Sequence, residues 1–452
     1  MSKTPSKSRA STVHELAGGA TEKVLKQIAD LYDIGLTTGP GGMGLKAIAE
    51  SPLLGLTLRK PRKKISVLIV GNHSAGKSSW INWYIGEQIQ RTGVAIETRG
   101  FTFVTSGKKR ETLQGEATLR FFEHLQGLET FTGIMPNIFT EISTSKDKNF
   151  TVCDFIDSPG LVDGDMQYPF DVQEAILWLA DHADLILIFF DPIGQATCKR
   201  TMNVVEKLNN SKHLEKISYY MSKADAVEKE HDRQKVLIQI TQNLATKIRN
   251  SHAFNLPTFY LPRDDDVPCN IPNAINDVCM DIDKAVKAGV QKNLRQLKAD
   301  CQNILTRADD VLLEDKRKKA SNLKRNLQGV LLVLCTLAAL AATLSVPGLL
   351  GFEHVCNLPS RDGLPVCSSP TGTFALRLAP AILQHWTQIM GATTGALLTL
   401  LLTTYFVWRT VPVFSSKDIK RVGEFKAYVR KIAEQEKGLY EVYFKSLSNE
   451  NE

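Results

Sequence analysis

The 452-residue chain carries 55 Lys and Arg against 48 Asp and Glu, a net charge of +7, with 43% hydrophobic and 23% charged residues. That balance excludes a disordered or collagen-like chain and leaves room for two or three domains with a large core. The basic residues cluster beside apolar segments rather than interleaving with aromatics, which argues against nucleic acid and for membrane headgroups as the anionic partner.

Residues 1–10 are Ser/Lys-rich without an apolar core, so no secretory signal is expected and the N-terminal part is expected to stay cytosolic. From 13 to 32, Leu16, Val24, Ile28 and Leu31 recur at helical spacing, and Gly39-Pro40-Gly41-Gly42 ends the pattern in a hinge-like loop. The basic run from Arg59 to Lys64 leads into the next element. It reads either as a solvated strand entrance or as a lipid or partner contact.

Residues 65–70 are apolar and β-branched, and 79–85 can continue as a helix. Between them, Gly71-Asn72-His73-Ser74-Ala75-Gly76-Lys77-Ser78-Ser79 satisfies G-x-x-x-x-G-K-[ST] at every required position. Gly71 and Gly76 let backbone N–H groups curl around a phosphate, Lys77 meets the β and γ oxygens, and Ser78 offers its hydroxyl to Mg²⁺. Thr98, within Ile96-Glu97-Thr98-Arg99-Gly100-Phe101, stands where a nucleotide switch loop is expected to close over metal and γ-phosphate.

The run 150–156 predicts a strand ending in Asp157-Ser158-Pro159-Gly160, a D-x-x-G that brings a carboxylate near the metal and a glycine N–H to the γ-phosphate. A helix over 169–181, a doubly covered strand over 185–190, a helix over 201–208 and a strand over 217–221 follow. The last runs into Ser222-Lys223-Ala224-Asp225, where Asp225 can accept two hydrogen bonds from guanine and the Lys223 stem can pack on the base. A strand over 258–261 completes an alternation that predicts an α/β domain with a mainly parallel sheet.

The order GNHSAGKSS, Thr98, DSPG, SKAD resembles the dynamin superfamily of large GTPases, nearest to the Eps15-homology-domain (EHD) and sarcalumenin-like group, over roughly residues 20–300. The resemblance implies that Gly71, Ser74, Ala75, Gly76, Lys77, Ser78 and Ser79 cradle phosphate and metal. It makes Thr98 the switch threonine, has Asp157 and Gly160 sense the γ-phosphate, and has Lys223 and Asp225 read the base. Metal contacts are expected from Ser78, Thr98 and Asp157, and catalytic roles from Ser74, Thr98 and His73. His73 stands where dynamins carry a glutamine; there it either orients water or is an ordinary loop residue. Ser222 replaces the family's Asn, and EHD proteins prefer ATP, so the substrate is GTP first and ATP as the alternative. No Eps15-homology domain is expected after the helical part.

Residues 282–326 are helix-forming and amphipathic, resembling this superfamily's stalk. Two uncharged stretches, from Leu327 and from Trp386, are each long enough to cross a hydrocarbon core. Gly391 and Gly395 form a G-x-x-x-G able to bring the two spans together. Lys316, Arg317, Lys318, Lys319, Lys324 and Arg325 precede the first span and Arg409, Lys417, Lys420 and Arg421 follow the second, whereas the loop between carries only Arg361 and Arg377. Both ends should therefore be cytosolic. Cys356 and Cys367 in that loop either pair or remain free thiols. The eight cysteines include no C-x-x-C pair, which argues against zinc or thioredoxin-like chemistry. The tail over 417–447 is an amphipathic helix that packs on the stalk or lies on the membrane.

The expected organisation is an N-terminal helical segment (1–60), a dynamin-type G domain (61–281), a stalk (282–326), transmembrane helices (327–352 and 386–408) around a lumenal loop (353–385), and a cytosolic C-terminal helix (409–452). The expected function is a membrane-anchored dynamin-like nucleoside triphosphatase with Mg²⁺ as cofactor, remodelling, tethering or fusing membranes. Its partners are the lipid bilayer and a nucleotide-dependent homodimer or homo-oligomer, in an endomembrane or the mitochondrial outer membrane. The rival class is a nucleotide-binding membrane scaffold that does not hydrolyse.

Overall fold

In the computed structural model, which describes residues 9–36, 43–92, 100–163, 167–193, 198–248, 256–262, 271–356 and 386–450, the apolar run before the phosphate loop is strand β1 (Ile65–Gly71). It is buried at all seven positions, as a strand covered on both faces must be. Helices α1 (Arg9–Asp33) and α2 (Leu45–Ala49) precede it, and α3 (Lys77–Ile85) leaves the phosphate loop directly. The remaining strands are β2 (Phe101–Ser106), β3 (Glu111–Gln114), β4 (Ile138–Ser143), β5 (Cys153–Asp157), β6 (Leu185–Phe190) and β7 (Ile217–Met221). Between and after them run α4 (Glu116–Phe121), α5 (Val172–His182), α6 (Lys199–Asn209), α7 (Glu230–Ala245), α8 (Ile275–Cys356), α9 (Trp386–Val407) and α10 (Ser416–Glu450).

The seven strands form one sheet in the order β3-β4-β2-β5-β1-β6-β7. Pairings β1–β5, β1–β6, β6–β7 and β2–β4 are parallel and β2–β5 and β3–β4 are antiparallel, so the sheet is mainly parallel, as expected, with an antiparallel element on the β2–β3–β4 side. The β2–β3–β4 wing carries no long apolar run: β4 alternates buried and half-buried residues over much of its length and β3 is largely exposed. Two expectations shift. Phe150–Val152 is a 3-10 turn, so β5 begins at Cys153, and Thr258 meets the sheet only through one bridge to Met221. Register sets the working edge: Ile69 pairs with Asp157, Gly71 with Phe189 and Phe190 with Met221, so the loops after β1, β5, β6 and β7 leave one end of the sheet.

The core on the α3 side is aromatic. Trp80 is fully buried and meets Tyr84, Phe155 and Phe189 with ring centroids 5.2, 5.8 and 5.8 Å away. The basic run before β1 is largely consumed by the fold. Lys60 pairs with Asp33, Lys63 with Asp30 at 3.9 Å, Arg62 with Asp184 at 2.7 Å and Lys64 with Asp154 at 3.4 Å. Of the two readings of that run, the strand entrance is the one these contacts favour.

Two compact units divide the chain, one comprising Met1–Ser51, Gly55–Asn303 and Ala427–Glu452, the other Pro52–Leu54 and Ile304–Lys426. In the first, α8 buries Val278, Ile282, Val286, Val290, Leu294, Leu297 and Cys301 at helical spacing. Tyr32 donates to Asp300 at 2.6 Å, and Tyr443 of the tail helix donates to the Lys287 carbonyl at 3.3 Å. The tail therefore packs on α8, with Val429 and Ile432 fully buried.

In the second unit α8 continues without a break, 82 residues in all, because the lysine-rich stretch before Leu327 holds no Gly or Pro to end it. Asn322 exchanges two hydrogen bonds with the Val411 backbone, at 2.8 and 2.9 Å, and Asp315 accepts from Phe414 N at 2.7 Å. A Cβ on Gly329 would stand 3.2 Å from the Trp408 ring, whereas one on Gly391 or Gly395 would meet nothing within 4 Å. The close approach is at Gly329, not at the G-x-x-x-G. Among the described residues one helix, α8, is long and apolar enough to cross a membrane, and Gly391–Val407 is a shorter apolar helix. The loop holding Cys367 lies outside the described residues.

Candidate functional site

The phosphate loop joins β1 to α3 through two left-handed residues, Ser74 (φ 62°) and Gly76 (φ 75°). Such backbone is uncommon for a non-glycine residue, and its appearance in a tight turn between strand and helix is the form a phosphate cradle takes. Gly160 shows why D-x-x-G needs its glycine here, since a Cβ there would stand 2.8 Å from His73 Cα. The two segments touch: His73 N donates to Leu161 O at 3.0 Å, and Leu161 N donates to Gly71 O at 3.1 Å. His73 is half-buried within this contact.

Lys77 is buried, its Nζ turned back to the carbonyls of Asn72 and Gly71 at 3.3 and 3.4 Å. Burial lowers its pKa, Asp157 opposes that shift, and Lys223 adds to it. At the end of β5, Asp157 accepts from Ser78 Oγ at 2.5 Å through one oxygen, while its other oxygen is buried without a partner. Ser79 follows half-buried on the first turn of α3, and Ala75 is fully buried.

The base-side loop reaches the same place from β7. Ser222 donates from Oγ towards Ala75 O at 2.8 Å and Phe190 O at 3.2 Å, tying this loop to the phosphate loop and to β6. The departure from the family's Asn is therefore not an idle one, because the serine hydroxyl makes the bridge. Lys223 takes a left-handed conformation (φ 52°) that lays its stem along Gly76, where an added Cβ would stand 3.6 Å from Lys223 Cε. Asp225 follows, half-buried, in the short turn Ala224–Ala226. Thr98 lies outside the described residues.

The structure thus brings Gly71, His73, Ser74, Ala75, Gly76, Lys77, Ser78, Ser79, Asp157, Gly160 and Lys223 to one end of the sheet. A residue without any motif joins them. Gln90, in the turn after α3, is buried beside Asp157, and the only sequence signal for it is a polar residue shortly after an apolar helix. Among the described residues no three His, Cys, Asp or Glu side chains converge on a metal site. A cation here would take Ser78, the phosphate oxygens and waters, one of which Asp157 would accept from; that is the ligand set Mg²⁺ favours. The unpartnered Asp157 oxygen and the inward-facing Lys77 fit a Mg²⁺–triphosphate.

Burial is the largest influence on Asp157 and raises its carboxyl above the ordinary 3.8, against the pull of Lys77 and Ser78. The folded state then holds a proton that the unfolded chain has released. Stability of the ligand-free protein consequently falls as pH rises from 3.8 through the folded value. Asp157→Asn is expected to raise the nucleotide-free melting temperature at pH 7 and to flatten that decline. A lower melting temperature in thermal scans across pH would contradict this account.

The mixed sheet, with a phosphate loop and the D-x-x-G turn at its working edge, defines a GTPase-like α/β domain. The dynamin family model matches residues 67–213. EH domain-containing protein 2 of Arabidopsis thaliana is 27% identical over 171 residues, 36% of this chain and 31% of that protein, and its Homo sapiens namesake is 26% identical over the same length. Over residues 67–213 the chain matches the dynamin family, it is similar to the EH domain-containing proteins, and it spans about a third of the length of the curated relatives it matches. Among solved structures, a bacterial dynamin pair is 12% identical with a TM-score of 0.42, covering 98% of this chain and 81% of that one. Toc33 from Arabidopsis thaliana is 17% identical with a TM-score of 0.30, covering 49% of this chain and 84% of that one.

Proposed function

We propose that this chain is a membrane-anchored, dynamin-like nucleoside triphosphatase, with GTP as substrate and Mg²⁺ as cofactor, that couples nucleotide binding and hydrolysis to membrane remodelling, tethering or fusion. The observation that carries the reading is the convergence of Lys77, Ser78, Asp157, Gly160 and Lys223 at one sheet edge, with Ser222 holding the base loop against the phosphate loop. When bound, Mg²⁺ would neutralise phosphate charge, held by Ser78 directly and by Asp157 through water. Lys77 would turn from its two carbonyls to the β and γ oxygens, the backbone N–H groups from Ser74 to Ser79 would cradle the phosphates, and the Gly160 N–H would meet the γ-phosphate. Asp225 would accept from the guanine edge and the Lys223 stem would cover the base. In this reading His73 and Ser74 would orient water, with Thr98 completing the switch.

In this reading residues 61–281 form the head, 282–326 the stalk, and 327–352 and 386–408 the two spans. Both ends face the cytosol and 353–385 the lumenal side, of an endomembrane or the mitochondrial outer membrane. Support comes from the surface: Leu327, Leu331, Leu334 and Leu337 of α8 are all more than half exposed, as are Leu398, Leu401 and Phe406 of α9. An apolar surface of this extent needs lipid or protein against it. The α9 helix of 22 residues would reach about 33 Å at 1.5 Å per residue, with Gly391–Val407 as its apolar part. Nucleotide-dependent pairing of heads is the partner relation this class would use.

The test is calorimetric binding of GTPγS and ATPγS with Mg²⁺ to the full chain, followed by turnover with and without liposomes. GTPγS preference and liposome-stimulated turnover are expected. ATPγS preference would place the chain with an adenine-reading EHD-like activity, and binding without turnover would favour a scaffold.

A further inference from the structure

Gln90 is held from both sides by one buried side chain of α3. Asn82 Oδ1 accepts from Gln90 N at 3.0 Å and from Ile89 N at 3.2 Å, while Asn82 Nδ2 donates to Gln90 O at 2.9 Å. The backbone is clamped, so the direction in which the side chain leaves it is set. That side chain is only 9% exposed, yet neither its Oε1 nor its Nε2 has a hydrogen-bond partner. Its amide is a neighbour of Asp157, short of a formed hydrogen bond. Asp157 Oδ1 is buried and equally unpartnered, and Oδ2 is held by Ser78.

A buried amide left unpaired is costly, and so is a buried carboxylate oxygen. Two such groups side by side, next to the hydroxyl that opens α3, offer one donor and two acceptors to a polar ligand. A hydrated Mg²⁺ has the complementary chemistry, because it keeps several waters whose hydrogens need acceptors. Asp157 supplies one acceptor, and a glutamine can supply the second while donating to that carboxylate.

We propose that Gln90 is a positioning residue for the divalent cation of the nucleotide: Nε2 donates to Asp157 Oδ1, and Oε1 accepts from a water carried by the cation. The inference rests on the nucleotide-site reading above. Groups behind the direct metal ligands act through orientation, and their loss characteristically weakens metal affinity by about 10- to 100-fold.

The experiment titrates a fluorescent GTP analogue into the full chain with Mg²⁺ and with EDTA, for wild type, Gln90→Leu and Gln90→Glu, alongside melting scans of each ligand-free protein. In Gln90→Leu the gain in affinity from Mg²⁺ is expected to fall about tenfold. The ligand-free Leu variant should melt no lower than wild type, since an unpaired amide has been removed. Gln90→Glu retains the acceptor for the water but loses the donor to Asp157, and is expected to keep more of the Mg²⁺ gain than Gln90→Leu. A packing role predicts the reverse order, with Leu tolerated and the buried Glu damaging, and that order would overturn the proposal. Should the Leu variant fold poorly, Gln90→Met makes the same comparison with a flexible apolar chain. Wild-type Mg²⁺ dependence in the apolar variants would overturn this inference alone; a wild-type chain that binds no nucleotide would overturn the site reading and this inference together.

Discussion

Lys77→Ala is expected to abolish measurable nucleotide binding while leaving the fold intact. Lys77 stands buried on the first turn of α3 beside the glycine loop, and its two carbonyl contacts are long, at 3.3 and 3.4 Å. Burial already disfavours its charged form, so the ligand-free protein gives up little when the ammonium is removed. Bound triphosphate gives up much more, because a buried charge deprived of its partner costs about 3–5 kcal/mol, roughly two to four orders of magnitude in affinity. Titration with a fluorescent nucleotide and a thermal scan of the same sample separate the two effects. Unchanged affinity in the alanine variant would remove the phosphate loop from the site. A collapsed melting transition would instead assign Lys77 a structural role.

The largest expected loss of stability is at Trp80. Its ring fills the space between α3 and the sheet, fully buried against Tyr84, Phe155 and Phe189 in tilted and edge-on contacts. Trp80→Ala should destabilise the domain by about 3–5 kcal/mol, since neighbours on a strand-backed helix cannot collapse into the cavity. For a domain of this size the melting temperature should fall on the order of 10 °C. Trp80→Phe should cost far less. It keeps an aromatic ring in the cluster and deletes an indole N–H that is buried with no hydrogen-bond partner. Equal losses in the two variants would show that volume at this position, and not the aromatic contacts, holds α3 to the sheet. Because α3 begins with Lys77, the same packing fixes the direction from which the lysine and Ser78 reach the site.

What could be read from the chain alone was the local chemistry. Gly71-x4-Gly76-Lys77-Ser78 between an apolar strand and a helix, Asp157 and Gly160 after a second strand, and Lys223 and Asp225 after a third are each written within a few consecutive residues, where spacing alone imposes geometry. The fully buried strands β1 and β6 were legible for the same reason, as unbroken apolar runs. The long helices announced themselves by period. The antiparallel element of the sheet did not, because β2, β3 and β4 are short and partly polar, and whether a strand pairs parallel or antiparallel depends on which distant strand it meets. Ser222 looked like a lost asparagine until the fold set its hydroxyl against Ala75 O, a contact across 147 residues. Gln90 and Asn82 showed nothing beyond a polar residue in or just after an apolar helix, since an amide acquires a role only when burial removes water from around it. Sequence by itself determined the groups that can meet a phosphate. Only the tertiary structure decided which polar atoms are sealed together at the sheet edge, because desolvation and long-range pairing belong to the folded chain and not to any segment of it.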